Sequence, residues 1–169
     1  MDKLVVSETN LKGVLSIQPS TNFEDFRGHY VEIYNEKLFK DAGITHKFIQ
    51  DDISTSNRGV LRGIHGDDRT WKLISCLYGA FYFVVVNNDP ESNEYKKYQT
   101  FTLSDTNRNQ ILVPPKFGNG HLVLTESAIF HYKQTTIYDR SSQFTIKWND
   151  PEYGIWWPID NPILSQRDS

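Results

Sequence analysis

Three residues whose chemistry exceeds what a strand needs stand close together in "VLRGIHGDDRTWKL", residues 60–73: Arg62, His65 and Lys72. Histidine takes up or releases a proton near neutral pH, and arginine and lysine serve anions. Each alone has a structural explanation. His65 could be a satisfied core histidine, and Lys72 a residue snorkelling from a sheet edge. The three nevertheless alternate with Leu61, Ile64 and Leu73, a pattern that implies a charged interior. A second group follows in "AIFHYKQT". Period-two alternation puts Ala128, Phe130, Tyr132 and Gln134 on one face and Ile129, His131 and Lys133 on the other. Phe130 and Tyr132 are expected to look inward, and His131 and Lys133 toward solvent or a neighbouring sheet. Tyr132 alone is a core filler or an acid; its company decides which.

Metal chemistry finds little support. His65 is followed by Gly66-Asp67-Asp68 with no second histidine two or four positions away, and His121 and His131 lack ligand spacing. Asp67 and Asp68 beside Gly66 read as a turn. No glycine-rich phosphate loop and no Gly-x-Ser-x-Gly elbow is present. No metal and no cofactor is expected.

The elements that must position these residues are mostly strands. "WKLISCLYGAFYFVVVNND" predicts two strands joined at Tyr78-Gly79, followed by "YKKYQTFTLS", "NQILVPP", "GHLVLTESAIFHYKQTTIYD" and "FTIKWND". Only "NEKLFKDAGI" (residues 35–44) has helical spacing, with Leu38, Phe39 and Ala42 as its apolar side. Short strands at regular intervals predict one all-β domain over 1–169, a sandwich or barrel. A chain of 169 residues with 14% aromatics can build a core and ligand-binding walls. With a net charge of −3 and mixed signs, no basic stripe for nucleic acid exists. The single cysteine, Cys76, reads as a small buried hydrophobe. "MDKLVVSETN" lacks a signal-peptide core and no apolar run approaches a membrane span, so a cytoplasmic location is expected.

The blocks "FEDFRGHYVE" (23–32), "FIQDDISTSNRGVLRGIH" (48–65), "ILVPPKFGNGHLVL" (111–124), "HYKQTTIYD" (131–139), "WNDPEYGIWWP" (148–158) and "ILSQRD" (163–168), with "KL" at 72–73, resemble the dTDP-4-dehydrorhamnose 3,5-epimerases and related nucleotide-sugar epimerases. The resemblance implies a cupin-type β-jelly roll, metal-independent and commonly a homodimer whose strands exchange. It also implies a nucleotide-diphosphate 4-keto-sugar as substrate. A ketone at C4 acidifies the hydrogens on C3 and C5; a base removes one, and an acid returns a proton to the opposite face. By matching positions, His65 is the base, Lys72 the enolate stabiliser, Tyr132 the acid and Asp168 the carboxylate orienting the histidine. Arg27 and Arg62 match diphosphate contacts, and Glu32, Gln50 and Asp52 match the sugar or base pocket. Tyr138 matches an aromatic beside the sugar or nucleobase.

Some positions depart from the family pattern. Asp52 stands where the family carries asparagine, and Asn119 and Gly120, with His121 displaced, stand where it reads "HGF". The loop "GDDRTW" is short. Asn119 still joins the expected substrate contacts. "HGDDRTWKL" with "PPKFGNGHLVL" looks more like the branch acting on GDP-linked 4-keto-heptoses of capsule synthesis. A 3,4-ketoisomerase and a non-catalytic sugar-binding cupin are the alternative functions on the same scaffold.

Overall fold

The computed structural model describes residues 4–19 and 21–169. Thirteen strands are defined among them: β1 (Val5–Glu8), β2 (Leu15–Gln18), β3 (Thr21–Asp25), β4 (Gly28–Glu32), β5 (Gln50–Asn57), β6 (Leu61–Gly66), β7 (Lys72–Tyr78), β8 (Ala80–Asn87), β9 (Tyr98–Ser104), β10 (Gln110–Val113), β11 (Phe117–Val123), β12 (Ser127–Gln134) and β13 (Phe144–Thr145). A six-stranded sheet, β1-β2-β10-β7-β12-β5, faces a five-stranded sheet, β13-β6-β11-β8-β9, and β3-β4 forms a separate hairpin. All the strand pairings are antiparallel. This is the expected jelly-roll sandwich.

Three apolar layers hold it. Between the sheets lie Ile74, Cys76, Phe81, Phe83, Val85, Ile111 and Phe130. Outside the five-stranded sheet, Leu61, Ile64, Val84, Val86 and Leu122 meet Ile146 and Trp157 of the C-terminal segment. Outside the six-stranded sheet, Ile17, Leu73 and Leu112 meet Phe39 and Ile44. Both faces of β8 are therefore covered, which explains its unbroken run "FVVV". The helix α1 spans Glu36–Asp41, inside the expected 35–44; Asn35 caps it by accepting from Lys37 N and Leu38 N. Among the described residues one 3-10 turn, Arg140–Ser142, accompanies it.

The tail of "YKKYQTFTLS" is the strand, "FTIKWND" forms the short strand Phe144–Thr145 and goes on to exchange backbone hydrogen bonds between Ile146 and Ile64, and β1 to β5 carry no clear apolar signal in sequence. At Tyr78-Gly79 the turn occurs as expected. Gly79 has φ +71°, and a side chain there would meet Ser127 O at 2.2 Å. Cys76 is buried, donates weakly to Tyr78 O and Gly79 O, and burial pushes its thiol up to about 12. It is inert at neutral pH.

Candidate active site

A cavity of about 530 Å³ opens between the two sheets. The five-stranded sheet supplies Arg62, His65, Asn119 and His121, and the six-stranded sheet supplies Asp52, Lys72, Phe130 and Tyr132. The C-terminal segment closes one side with Ser165, Arg167 and Asp168, and the stretch after β12 contributes Tyr138, Arg140 and Gln143.

Arg62 and His65 are three residues apart, so an undistorted strand would point them to opposite faces. The register between β6 and β11 resolves this. Asn119 faces His65 and His121 faces Arg62, so three steps on β6 match two on β11. That bulge turns both side chains inward while Leu61 and Ile64 stay in the outer apolar layer. Gly63, at φ +113°, makes it possible: a Cβ there would sit 2.6 Å from Gly120 Cα.

His65 Nε2 lies 2.6 Å from Asp168 Oδ1. A carboxylate only accepts, so Nε2 carries the proton and Nδ1 keeps its lone pair for a substrate. Ser165 Oγ donates to the other oxygen of Asp168 at 3.0 Å. Burial pushes the Asp168 carboxyl up, but the hydrogen bonds from His65, Ser165 and the Gly63 N–H outweigh it and hold it below its ordinary value.

Lys72 opens β7 on the inner face and is only 7% exposed, which removes the snorkelling alternative. Burial pushes its pKa down; Asp67 opposes this and Arg167 reinforces it. Asp67 itself holds the turn, as expected, accepting from Arg69 N and Thr70 N.

Tyr132 stands directly across from Asp52 in the β5–β12 ladder. Burial, then the Asp52 carboxylate, pushes its pKa up, so the phenol keeps its proton at neutral pH. Asp52 Oδ2 accepts from Gln50 Nε2 and Gln134 Nε2, both at 2.8 Å. Gln50 Oε1 in turn accepts from Tyr138 N at 2.9 Å. Gln50 is thus a brace behind Asp52 and Tyr138, not a residue of the cavity wall.

Arg27 and Glu32 are not brought to this cavity. They belong to the β3–β4 hairpin, which pairs with neither sandwich sheet. Arg27 is exposed and pairs with Asp25 at 2.6 Å, and Glu32 accepts from Asn35 Nδ2 at 3.3 Å. His131 and Lys133 do lie on the outer face, but His131 is buried and Lys133 is largely covered, salt-bridged to Asp51 at 2.7 Å with Tyr34 against its ammonium. The N-terminal layer covers the face where solvent was one expectation.

His121, Arg140, Gln143 and Arg167 reach the cavity without having been singled out as site residues. Arg167 offered one signal, its place beside Asp168; nothing in the residues themselves marks Arg140 or Gln143. Four cations against the two carboxylates Asp52 and Asp168 give the described cavity wall a positive balance. Among the described residues no group of three metal-type ligands occurs, and no helix is long and apolar enough to cross a membrane.

A histidine on one sheet, held by a carboxylate of the C-terminal segment and facing a proton-bearing phenol on the other sheet beside a buried ammonium, suits acid–base isomerisation of an anionic ligand. Comparison with known proteins makes the class specific. The sequence pattern of the family described as dTDP-4-dehydrorhamnose 3,5-epimerase matches residues 8–169. The dTDP-4-dehydrorhamnose 3,5-epimerase of Methanothermobacter thermautotrophicus is 36% identical over 166 residues, covering 95% of this chain and 89% of that protein. That of Pseudomonas aeruginosa is 39% identical over 150 residues, 86% of this chain and 83% of the other. Among solved structures, the Bacillus anthracis enzyme with TDP and PPi bound superposes with TM-score 0.92 at 36% identity, covering 98% of this chain and 96% of that one. The Legionella pneumophila dTDP-6-deoxy-D-glucose-3,5-epimerase in complex with dTDP-4-keto-L-rhamnose gives 0.91 at 33%, covering 98% and 89%. The chain belongs to the dTDP-4-dehydrorhamnose 3,5-epimerase family and is an epimerase acting on carbohydrates.

Proposed function

We propose that this chain inverts C3, and C5 where the substrate permits, of a nucleotide-diphosphate 4-keto-6-deoxy sugar, without a metal. One observation carries the reading: His65 and Tyr132 come from opposite sheets and face one cavity, so they can address opposite faces of a ring held between them. His65 Nδ1 removes the proton, with Asp168 stabilising the imidazolium. Lys72 stabilises the enolate oxygen, desolvated and therefore strong. Tyr132 returns a proton from the other side. Arg62, fixed by its Nε bond to Ser56 Oγ at 2.9 Å, is assigned to the diphosphate.

The relatives are named for thymidine-linked sugars, and one solved relative holds dTDP-4-keto-L-rhamnose; the proposed nucleotide is therefore thymidine diphosphate. The GDP-linked heptose of capsule synthesis expected from the loop pattern finds no support among them. Cytoplasmic action fits a nucleotide-sugar substrate. We further read the enzyme as a homodimer in which the β3–β4 hairpin, with Phe26 98% exposed, carries Arg27 and Glu32 to the cavity of the second copy.

The test is incubation of dTDP- and GDP-linked 4-keto-sugars in deuterium oxide, read by mass spectrometry and proton NMR. Deuterium at C3 with inversion supports the proposal. A ketone moved to C3 identifies a ketoisomerase, and binding without exchange a mere carrier; either outcome rejects it.

A further inference from the structure

His121 has no part in the mechanism above, yet it is 3% exposed, lines the cavity, and is hydrogen-bonded by no other described residue. Its ring is stacked on Phe130, centroids 4.2 Å apart and planes 7° apart, which fixes its orientation. Buried polar groups left without partners are costly, and one that faces a cavity is completed by what enters.

The strand register says which part of a ligand that is. His121 pairs with Arg62 and Asn119 with His65, and directly opposed residues of an antiparallel pair share a face. His121 thus stands beside Arg62, the diphosphate contact, and it also faces Asp168, the carboxylate that holds the base His65, so its ring lies between the two. In a sugar nucleotide the diphosphate is attached at C1 and the acidified hydrogen is on C3, so the carbon between them is C2. This mapping rests on the roles given above to Arg62 and His65.

We propose that His121 is a specificity-determining residue whose imidazole hydrogen-bonds the C2 hydroxyl of the sugar, selecting 2-hydroxy over 2-deoxy substrates. The charged groups facing the ring are Arg62 and Asp168. Burial, reinforced by Arg62 and opposed by Asp168, pushes His121 down to about 3, so the ring is neutral at working pH. A neutral imidazole offers one donor and one acceptor, the complement of a hydroxyl. A further anion would be better served by a cation at this place.

The experiment compares kcat/KM for dTDP-4-keto-6-deoxyglucose and its 2-deoxy analogue in the wild type and in His121→Phe. Phenylalanine keeps the ring that stacks on Phe130, and calorimetric binding of dTDP, which lacks the hexose, monitors the intact site. The wild type is expected to prefer the hydroxylated sugar by about 10²-fold or more, because a site built to bond a hydroxyl rejects the analogue lacking it. In His121→Phe the preference should collapse toward one, through loss on the hydroxylated substrate alone, with dTDP affinity unchanged. A wild type that treats the two sugars alike, or a variant that loses both equally, overturns the proposal. If the wild type inverts and exchanges neither sugar, the epimerase reading itself fails, and this inference with it.

Discussion

The imidazole of His65 and the carboxylate of Asp168 meet at 2.6 Å across 103 residues of chain. Asp168→Asn should lower kcat by about 10²–10⁴-fold while KM changes little, since the carboxylate acts when the imidazole becomes charged. The pair also has a stability signature. Asp168 titrates below its ordinary value in the folded chain, so it contributes stability that is complete above the unfolded pKa of about 3.9 and is lost as pH falls through the lower folded value. Denaturant midpoints between neutral and acid pH should therefore fall more steeply in the native chain than in Asp168→Asn. A variant with native kinetics would remove Asp168 from the dyad.

His65→Asn should suppress deuterium exchange at C3 by about 10²–10⁴-fold, the usual worth of a positioned base. Nucleotide binding should survive, because Arg62 is held by Ser56, not by His65. Exchange measured by proton NMR at the native rate would show that another base acts.

Tyr132→Phe should separate exchange from inversion. His65 can still form the enolate, but only His65 can reprotonate it, from the face it left, so exchange persists while inversion nearly stops. Phenylalanine retains the packing against Phe130, centroids 5.7 Å from the tyrosine ring. Equal rates of exchange and inversion in the variant would make Tyr132 a wall of the pocket.

Lys72→Met should trade activity for stability. The buried ammonium titrates below its ordinary value because desolvation disfavours its charge. Removing it should raise the thermal midpoint at neutral pH, and this difference should shrink as pH rises and the native lysine loses its proton. Turnover should drop about 10²–10³-fold with the enolate's donor gone. Calorimetric melting and the exchange assay read the two effects separately; a lower midpoint with native turnover would contradict both.

Arg27→Ala and His65→Asn chains should each be inactive alone yet regain activity when mixed under conditions of subunit exchange. Such complementation arises when the hairpin of one copy completes the cavity of another, because a mixed dimer then contains one site free of both substitutions. Failure to complement, with each variant folded, would place Arg27 outside catalysis.

Much of the cavity was legible in the chain because its chemistry sits in short local patterns. The alternation "AIFHYKQT" puts Phe130 and Tyr132 on one face, since a strand's period of two is local, and that face is the inner one. Likewise "FYFVVV" announces a strand buried on both faces, and Gly79 a turn that a side chain would obstruct. Residues 62 and 65 are another matter. Strict alternation would place Arg62 with Ile64 and His65 with Leu61, and only the register against β11, with its bulge where Gly63 passes Gly120, puts the two polar side chains on one side and the two apolar residues on the other. Arg140, Gln143 and Arg167 lie on irregular segments that carry no period to read, and Asp168 meets His65 only because the C-terminal segment packs back over β6. Composition and period act over a few residues, so they settled which side chains form strands and core. Which distant side chains share a cavity depends on how two sheets close upon each other, and tertiary packing alone decided that.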